Sequence, residues 1–418
     1  MREGLVQSSV SMSVADLAKH AIRPILRHAP RAFASASRAT ARMSLIGTVM
    51  FAAAGACAQI LPSQGTTPSA PDEWLFGTGP NWYYRASPSP VPREIVFRKP
   101  SADEEEVVRK AQALLTNSSG KAMALMNGNE LVWYGFKPPA SRSRFYHGFS
   151  MGKTLTALAV GKAICSGKLT LDTVTGDVLP ELKAADIGAA TVRDLLRMSS
   201  GTWVGNKDST VWSKEEREAV DSGRMNWLQF LATSPAGMAE KGVFGKRKPG
   251  LDFQYNSTSP LTLGLILQRT TGMTYARWVE QEVLHAAGTS SPSIVGQDRS
   301  ELGQADGTIR MTFDDWLRMA SYISESQKAT GCFGDFVREA FTTQITDRPK
   351  TERIGFLGYG YLTWIGTLPT PRSAWLVGYG GQRIATNPSN SRMLIVFSNV
   401  ENYMPEVAKL YGDWAKLP

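Results

Sequence analysis

Tyr146-His147-Gly148-Phe149-Ser150-Met151-Gly152-Lys153 stands directly before an apolar run, Thr154 to Ile164. The run has the length and composition of a buried helix, and Gly167 supplies its stop. A Ser and a Lys three apart at a helix start share one face, about one turn from each other. A lysine withdrawn from water or crowded by other cations gives up its proton more readily, and can then serve as base to a neighbouring hydroxyl. The pair therefore sets out a serine nucleophile that needs no histidine, in a chain with only four histidines.

Ser-x-x-Lys alone is a weak signal, and it recurs at Ser118-Ser119-Gly120-Lys121. That copy lies between a predicted helix and a strand with no helix behind it, and reads as a turn. Two later segments strengthen Ser150. Pro249-Gly250-Leu251-Asp252-Phe253-Gln254-Tyr255-Asn256-Ser257 places a tyrosine in a polar loop just before a helix at Ser259. Gly378-Tyr379-Gly380-Gly381-Gln382 opens a late strand with small residues, where backbone can approach a ligand closely.

The flanking chain predicts the architecture. Ser101 and Glu104 form a capping box for a helix to about Leu115, and Asn127-Gly128-Asn129 joins two strands as a hairpin. A mostly helical middle covers roughly residues 168–345. It includes a helix opened by Thr191 to Asp194, helices at Ser259–Thr271 and Tyr275–Ala286, and one capped by Thr312 and Asp315. Strand patterns return at Tyr359–Ile365, Ala374–Val377, Gln382–Asn387 and Met393–Ser398, followed by an amphipathic helix at Pro405–Trp414. The expected fold is α/β of the α+β type, one antiparallel sheet formed from both chain ends, flanked by helices, with an inserted helical lobe.

At 418 residues and 42% hydrophobic the chain can bury a large core. Of its net charge of +9, seven basic groups against Glu3 and Asp16 put +5 on residues 1–58, leaving an ordinary +4 elsewhere, so no nucleic-acid partner is expected. Arg38 and Arg42, the apolar stretch Leu45–Ala56 and Ala56-Cys57-Ala58 read as a signal segment, 1–58, for export to the periplasm. The stretch is too short for stable membrane insertion. A lipid anchor at Cys57 is the weaker alternative, because Ala54-Gly55-Ala56 lacks a large aliphatic residue. Residues 59–100, rich in Pro, Ser and Gly, read as a linker, and 101–418 as the folded domain. Cys165 is expected to be a small core residue rather than half of a disulfide. No cluster of His, Cys or carboxylates has metal-ligand spacing, and neither metal nor cofactor is expected.

With these residues in hand, roughly 100–415 of the chain resembles the penicillin-recognising serine hydrolases: class C β-lactamases, their esterase relatives and 6-aminohexanoate-dimer hydrolases. Leu195-Leu196-Arg197-Met198-Ser199-Ser200-Gly201 and Tyr255 through Gly264 add to the match. The resemblance implies that Ser150 is acylated, Lys153 accepts its proton, and Tyr255 shuttles a proton to the leaving group and activates water. It implies an oxyanion hole from the backbone N–H groups of Ser150 and Gln382, with Ser257, Tyr379, Gly380 and Gly381 around the substrate. Ser257 stands where β-lactamases carry Asn, and Tyr379 where they carry a Lys that attracts the drug carboxylate, unless Arg383 substitutes. Both departures favour a small ester or linear amide over a β-lactam. A β-lactamase or D-amino-acid peptidase, and a non-catalytic binding protein on the same scaffold, are the alternatives.

Gly148-Phe149-Ser150-Met151-Gly152 also fits the nucleophile elbow of α/β-hydrolases, but Lys137 to Arg144 cannot be a central strand and a suitably late histidine is missing. His147 is expected to pack or bond locally, or else to line the entrance. His285 reads as a capping or surface residue, and Asp315 as a cap. Trp203, Trp212, Trp227 and Phe230 either line an acyl pocket or pack the helical lobe.

Overall fold

The computed structural model describes residues 82–202, 214–233, 248–345, 355–399 and 404–418, together with the backbone of Trp74–Leu75. The signal segment, Cys57, Trp203 and Trp212 lie outside the described residues. Thirteen strands are described: β1 Trp74–Leu75, β2 Tyr83–Ala86, β3 Val96–Phe97, β4 Gly120–Asn127, β5 Glu130–Phe136, β6 Phe145–His147, β7 Ser293–Gly296, β8 Ile309–Thr312, β9 Gly358–Tyr359, β10 Trp364–Thr367, β11 Thr370–Gly378, β12 Gln382–Thr386 and β13 Arg392–Ser398. The helices are α1 Ala102–Asn117, α2 Met151–Cys165, α3 Thr175–Val178, α4 Val192–Leu196, α5 Lys214–Asp221, α6 Trp227–Thr233, α7 Thr258–Thr271, α8 Tyr275–Val279, α9 His285–Ala287, α10 Phe313–Ser326, α11 Cys332–Ala340 and α12 Met404–Ala415.

The main sheet runs β3-β5-β4-β13-β12-β11-β10-β9 and is antiparallel except where β3 joins β5. Early and late chain meet at its centre, with Met126 opposite Met393 and Ala124 opposite Ile395. This is the expected sheet from both chain ends. The strands β4, β12 and β13 read as near-continuous buried runs because both faces are covered. Helices α1 and α12 lie on one face, while α2 and α10 lie on the other. From Met151 to Gly161 every residue of α2 is buried. A helix apolar all round has no solvent side; here the sheet lies on one flank and α7, α8 and α11 on the other.

Three features depart from the sequence reading. A second sheet, β1-β6-β8-β7-β2, is built from strands too short to give a readable period, and it takes β2 from the stretch read as linker. The expected helix Tyr275–Ala286 is present without a gap but holds a π-helical turn, Glu280–Leu284, whose carboxylate at Glu280 accepts from Tyr84 Oη, Ser87 N and Ser87 Oγ. The third correction concerns Cys165. It is not a free core residue but is disulfide-bonded to Cys332, across 167 positions, pinning the end of α2 to the start of α11. Sequence patterning carries no sign of a bond over such a span.

The Ser101/Glu104 capping box is present, and its Glu has a second task. The Glu104 carboxylate, 1% exposed, takes Arg98 Nη1 at 2.6 Å and Arg392 Nη1 at 2.8 Å, so it ties α1 to the loop after β3 and to the start of β13. The Arg98 bond, with the Ser101 amide and Arg392, holds the carboxyl from the usual 4.5 down to about 2 against the opposing effect of burial. A carboxyl with a depressed folded value contributes stability above its unfolded value and loses it as pH falls through the folded one. Glu104→Gln is therefore expected to lower the unfolding free energy by about 3 kcal/mol at pH 7. In urea titrations from pH 7 to pH 2, the gap to wild type should close below about 4.5. Parallel curves would reject this role.

Candidate active site

Ser150 sits at the junction of β6 and α2, as the N-cap residue of α2. The residue before it, Phe149, is held at φ +46°, a left-handed conformation that a bulky side chain adopts only when its surroundings impose it. Those surroundings are specific. Gly148 N donates to Ile309 O, Gly152 N donates to Phe149 O, and the Phe149 ring stacks on His147 with centroids 3.8 Å apart. Gly307 completes the clamp: a Cβ there would fall 2.6 Å from Phe149 O.

Lys153, 2% exposed, has its Nζ 2.9 Å from Ser150 Oγ and donates to Asp306 O at 2.6 Å. It also lies 5.2 Å from the centroid of the Tyr255 ring. The three residues singled out in sequence thus lie together. Among the described residues, Lys153 is the side chain bonded to Ser150 Oγ. The Ser150 amide donates to no described acceptor, as expected of the first turn of a helix. The elbow reading lacks its downstream histidine, because His285 is engaged with Ser87 and Glu280.

Tyr255 is positioned by the segment 195–201. Met198 O accepts from Gln254 N at 2.7 Å, Ser199 O accepts from Gly250 N at 2.7 Å, and Ser200 Oγ accepts from Ser259 Oγ. The ring stacks on Trp364 at 5.2 Å and meets Tyr359 edge-on, while Tyr255 Oη makes no hydrogen bond with the described residues. Burial keeps the Tyr359 phenol well above its ordinary range, so this neighbour of the Tyr255 ring is uncharged. Ser257 occupies the N-cap position of α7, but its hydroxyl makes no bond to Lys153. The cap is supplied by Asn256 Oδ1, which accepts from Ser259 N and Thr258 Oγ1.

The strands β11 and β12 pair at Gly378 and Gln382, closing a hairpin over Tyr379, Gly380 and Gly381. Both glycines have positive φ, +76° and +90°. The hairpin abuts the nucleophile turn so tightly that a Cβ on Gly378 would fall 2.2 Å from Gly148 O. The buried Gln382 side chain donates to Tyr379 O and Ser398 O and accepts from Ser398 N, fixing the turn. Arg383 does not stand in for the missing lysine. One residue along the strand from Gln382 it points to the other face, where Nη1 donates to Gly378 O and Gln382 O and Nε meets Met404 Sδ.

Other candidates resolve as packing. Trp227 and Phe230 are buried and meet edge-on at 5.9 Å, so they pack the helical lobe. Asp315 accepts from Thr312 Oγ1 and from the amides of Ser290 and Ser291, a cap and loop anchor. Asp314 pairs with Arg142. Asp306 and Gly307 went unnoticed in sequence, although an Asp-Gly turn signal ahead of a strand was there to read. Among the described residues no group of His, Cys, Asp or Glu is arranged to hold a metal, and no helix is long and apolar enough to cross a membrane.

The family profile described as Beta-lactamase matches residues 107–416. No curated protein matches the chain. Solved structures do. A protein from Bacillus anthracis provisionally assigned as a 6-aminohexanoate-dimer hydrolase is 15% identical, with TM-score 0.60 over 80% of this chain and 89% of that one. EstCE1, a hydrolase with promiscuous acyltransferase activity, is 14% identical, with TM-score 0.59 over 74% and 99%. The D-alanine carboxypeptidase AmpC from Burkholderia cenocepacia is 16% identical, with TM-score 0.53 over 75% and 99%.

Proposed function

The chain belongs to the beta-lactamase family, and from that premise we propose that it is a serine hydrolase acting on a neutral ester or small linear amide through an acyl-enzyme at Ser150. The contact that carries this reading is the 2.9 Å separation of Lys153 Nζ and Ser150 Oγ, with Tyr255 alongside. Names borne by the fold neighbours span hydrolase, acyltransferase and carboxypeptidase activities, so fold alone does not choose the acyl group.

In the proposed reaction Lys153 takes the Ser150 proton as Oγ bonds to the acyl carbon. The bond to the leaving group breaks, and Tyr255 and Lys153 pass the proton to the departing oxygen or nitrogen. Water, activated by the same pair, then cleaves the ester to Ser150 and releases the acid. The Ser150 and Gln382 amides stabilise the oxyanion in both halves. The neutral-substrate preference follows from Tyr379 at the lysine position and from Arg383, which is turned away and spent on backbone carbonyls.

We also place the working protein outside the cytoplasm, in the periplasm, a reading supported by the Cys165–Cys332 disulfide, since such bonds persist in oxidising compartments. Rapid mixing with p-nitrophenyl butyrate should release a burst of nitrophenol stoichiometric with enzyme, and mass spectrometry should find the butyryl adduct on the peptide containing Ser150. Nitrocefin should be turned over with a lower kcat/KM than the ester. Folded protein that gives neither burst nor adduct would overturn the proposal in favour of a binding role.

A further inference from the structure

Tyr379 is 72% exposed, at the tip of the hairpin that abuts the nucleophile turn. A single exposed aromatic residue is ordinary. This one stands on an anchored backbone and has a ring neighbour. Its carbonyl accepts from the buried Gln382 Nε2 at 2.9 Å, and Gly378 O before it accepts from Arg383 Nη1 at 2.7 Å. The glycines after it fix the turn, and the ring meets Phe149 edge-on with centroids 5.7 Å apart. Phe149 is itself clamped between His147 and the backbone at Gly307. The result is an anchored backbone carrying a ring that rests against Phe149 and is otherwise largely open to solvent, next to the residue preceding Ser150. An aromatic surface ordered before a ligand arrives loses little further freedom on binding.

We propose that Tyr379, backed by Phe149, is a stacking platform for a planar, uncharged ring of the substrate, and that Tyr379 selects ring-bearing esters. The inference rests on the acyl-enzyme reading above and adds the chemical class of the group that lies against the hairpin. A neutral phenol attracts no carboxylate, and the neighbouring guanidinium is spent behind the hairpin, so the recognised group is apolar and flat. Ring-on-ring stacking supplies a discrimination of about three- to tenfold against a saturated ring of equal size.

The test compares esters of like reactivity that differ in planarity: benzyl against cyclohexylmethyl butyrate, and methyl phenylacetate against methyl cyclohexylacetate. Wild type should favour the aromatic member of at least one pair in kcat/KM. Tyr379→Ala should reduce that ratio by about three- to tenfold, and Tyr379→Phe should keep it. Circular dichroism checks the fold of each variant. A ratio unchanged in folded Tyr379→Ala overturns the proposal. Should wild type hydrolyse none of these esters, the hydrolase reading is left to the burst and adduct test above, and the platform is judged by saturation-transfer NMR. Transfer to 2-naphthol but not cyclohexanol, lost in Tyr379→Ala, supports it, and equal transfer in wild type and variant overturns it.

Discussion

Ser150→Ala is expected to lower kcat for a small ester by roughly 10⁴-fold or more while changing stability by less than about 0.5 kcal/mol. The size follows from the site. Lys153 is buried, and its Nζ is shared between Ser150 Oγ and Asp306 O, so the amine is placed to serve one hydroxyl. With Oγ removed, no described side chain stands in its place as nucleophile, and water must attack without an acyl-enzyme. The remaining catalysis would come from the oxyanion donors and from binding alone. Stability should hold because Ser150 is half-buried and its side chain provides no cap bond to α2. Steady-state kinetics with butyrate esters, beside thermal unfolding of both proteins, reads the two effects separately. A variant retaining more than about one-hundredth of wild-type kcat would remove Ser150 from the proposed role.

The second large effect belongs to the disulfide, and it is expected to separate stability from chemistry. Cys165–Cys332 closes a loop of 167 positions. Chain-entropy arguments give about 5 kcal/mol for a loop of that size, and native disulfides removed from proteins typically cost about 2–5 kcal/mol. Cys332→Ser, or reduction of the wild type, should therefore lower Tm by several degrees. Yet α2 is 15 residues long, so the bond lies roughly 20 Å from Ser150. At low temperature kcat should stay within about twofold of wild type. Tm with and without reductant, thiol titration of the unfolded protein, and initial rates decide it. Cys165 and Cys332 both titrating as free thiols in protein purified without reductant would show that the bond does not form.

What the sequence made legible was local. A Ser and a Lys one turn apart before a buried helix, an Asn-Gly hairpin, the capping box at Ser101 and the helix starts at Thr191 and Thr312 all depend on neighbours within a few residues, and each appears in the structure. The family resemblance gave roles to Tyr255 and Tyr379, which the fold brings beside Lys153 and Phe149 from 100 and more residues away. What stayed hidden was long-range or weakly patterned. Strands of two to four residues cannot show a period, so the sheet containing β6 was missed. The direction of Arg383 depends on the strand register, which its own residue type does not reveal. Asp306 and Gly307 matter only because tertiary packing sets them against Lys153 and Phe149.

The pairing of β4 with β13 joins residues such as Leu125 and Leu394, near opposite ends of the described domain. During synthesis the first hairpin emerges hundreds of residues before the strand that seals its inner edge. Until then β4 offers an unsatisfied ladder to any extended segment nearby, including another nascent copy. Folding of such a chain is intrinsically slow and exposes it to misassociation, so a holdase that keeps it extended until the last strand arrives would raise the yield of active protein.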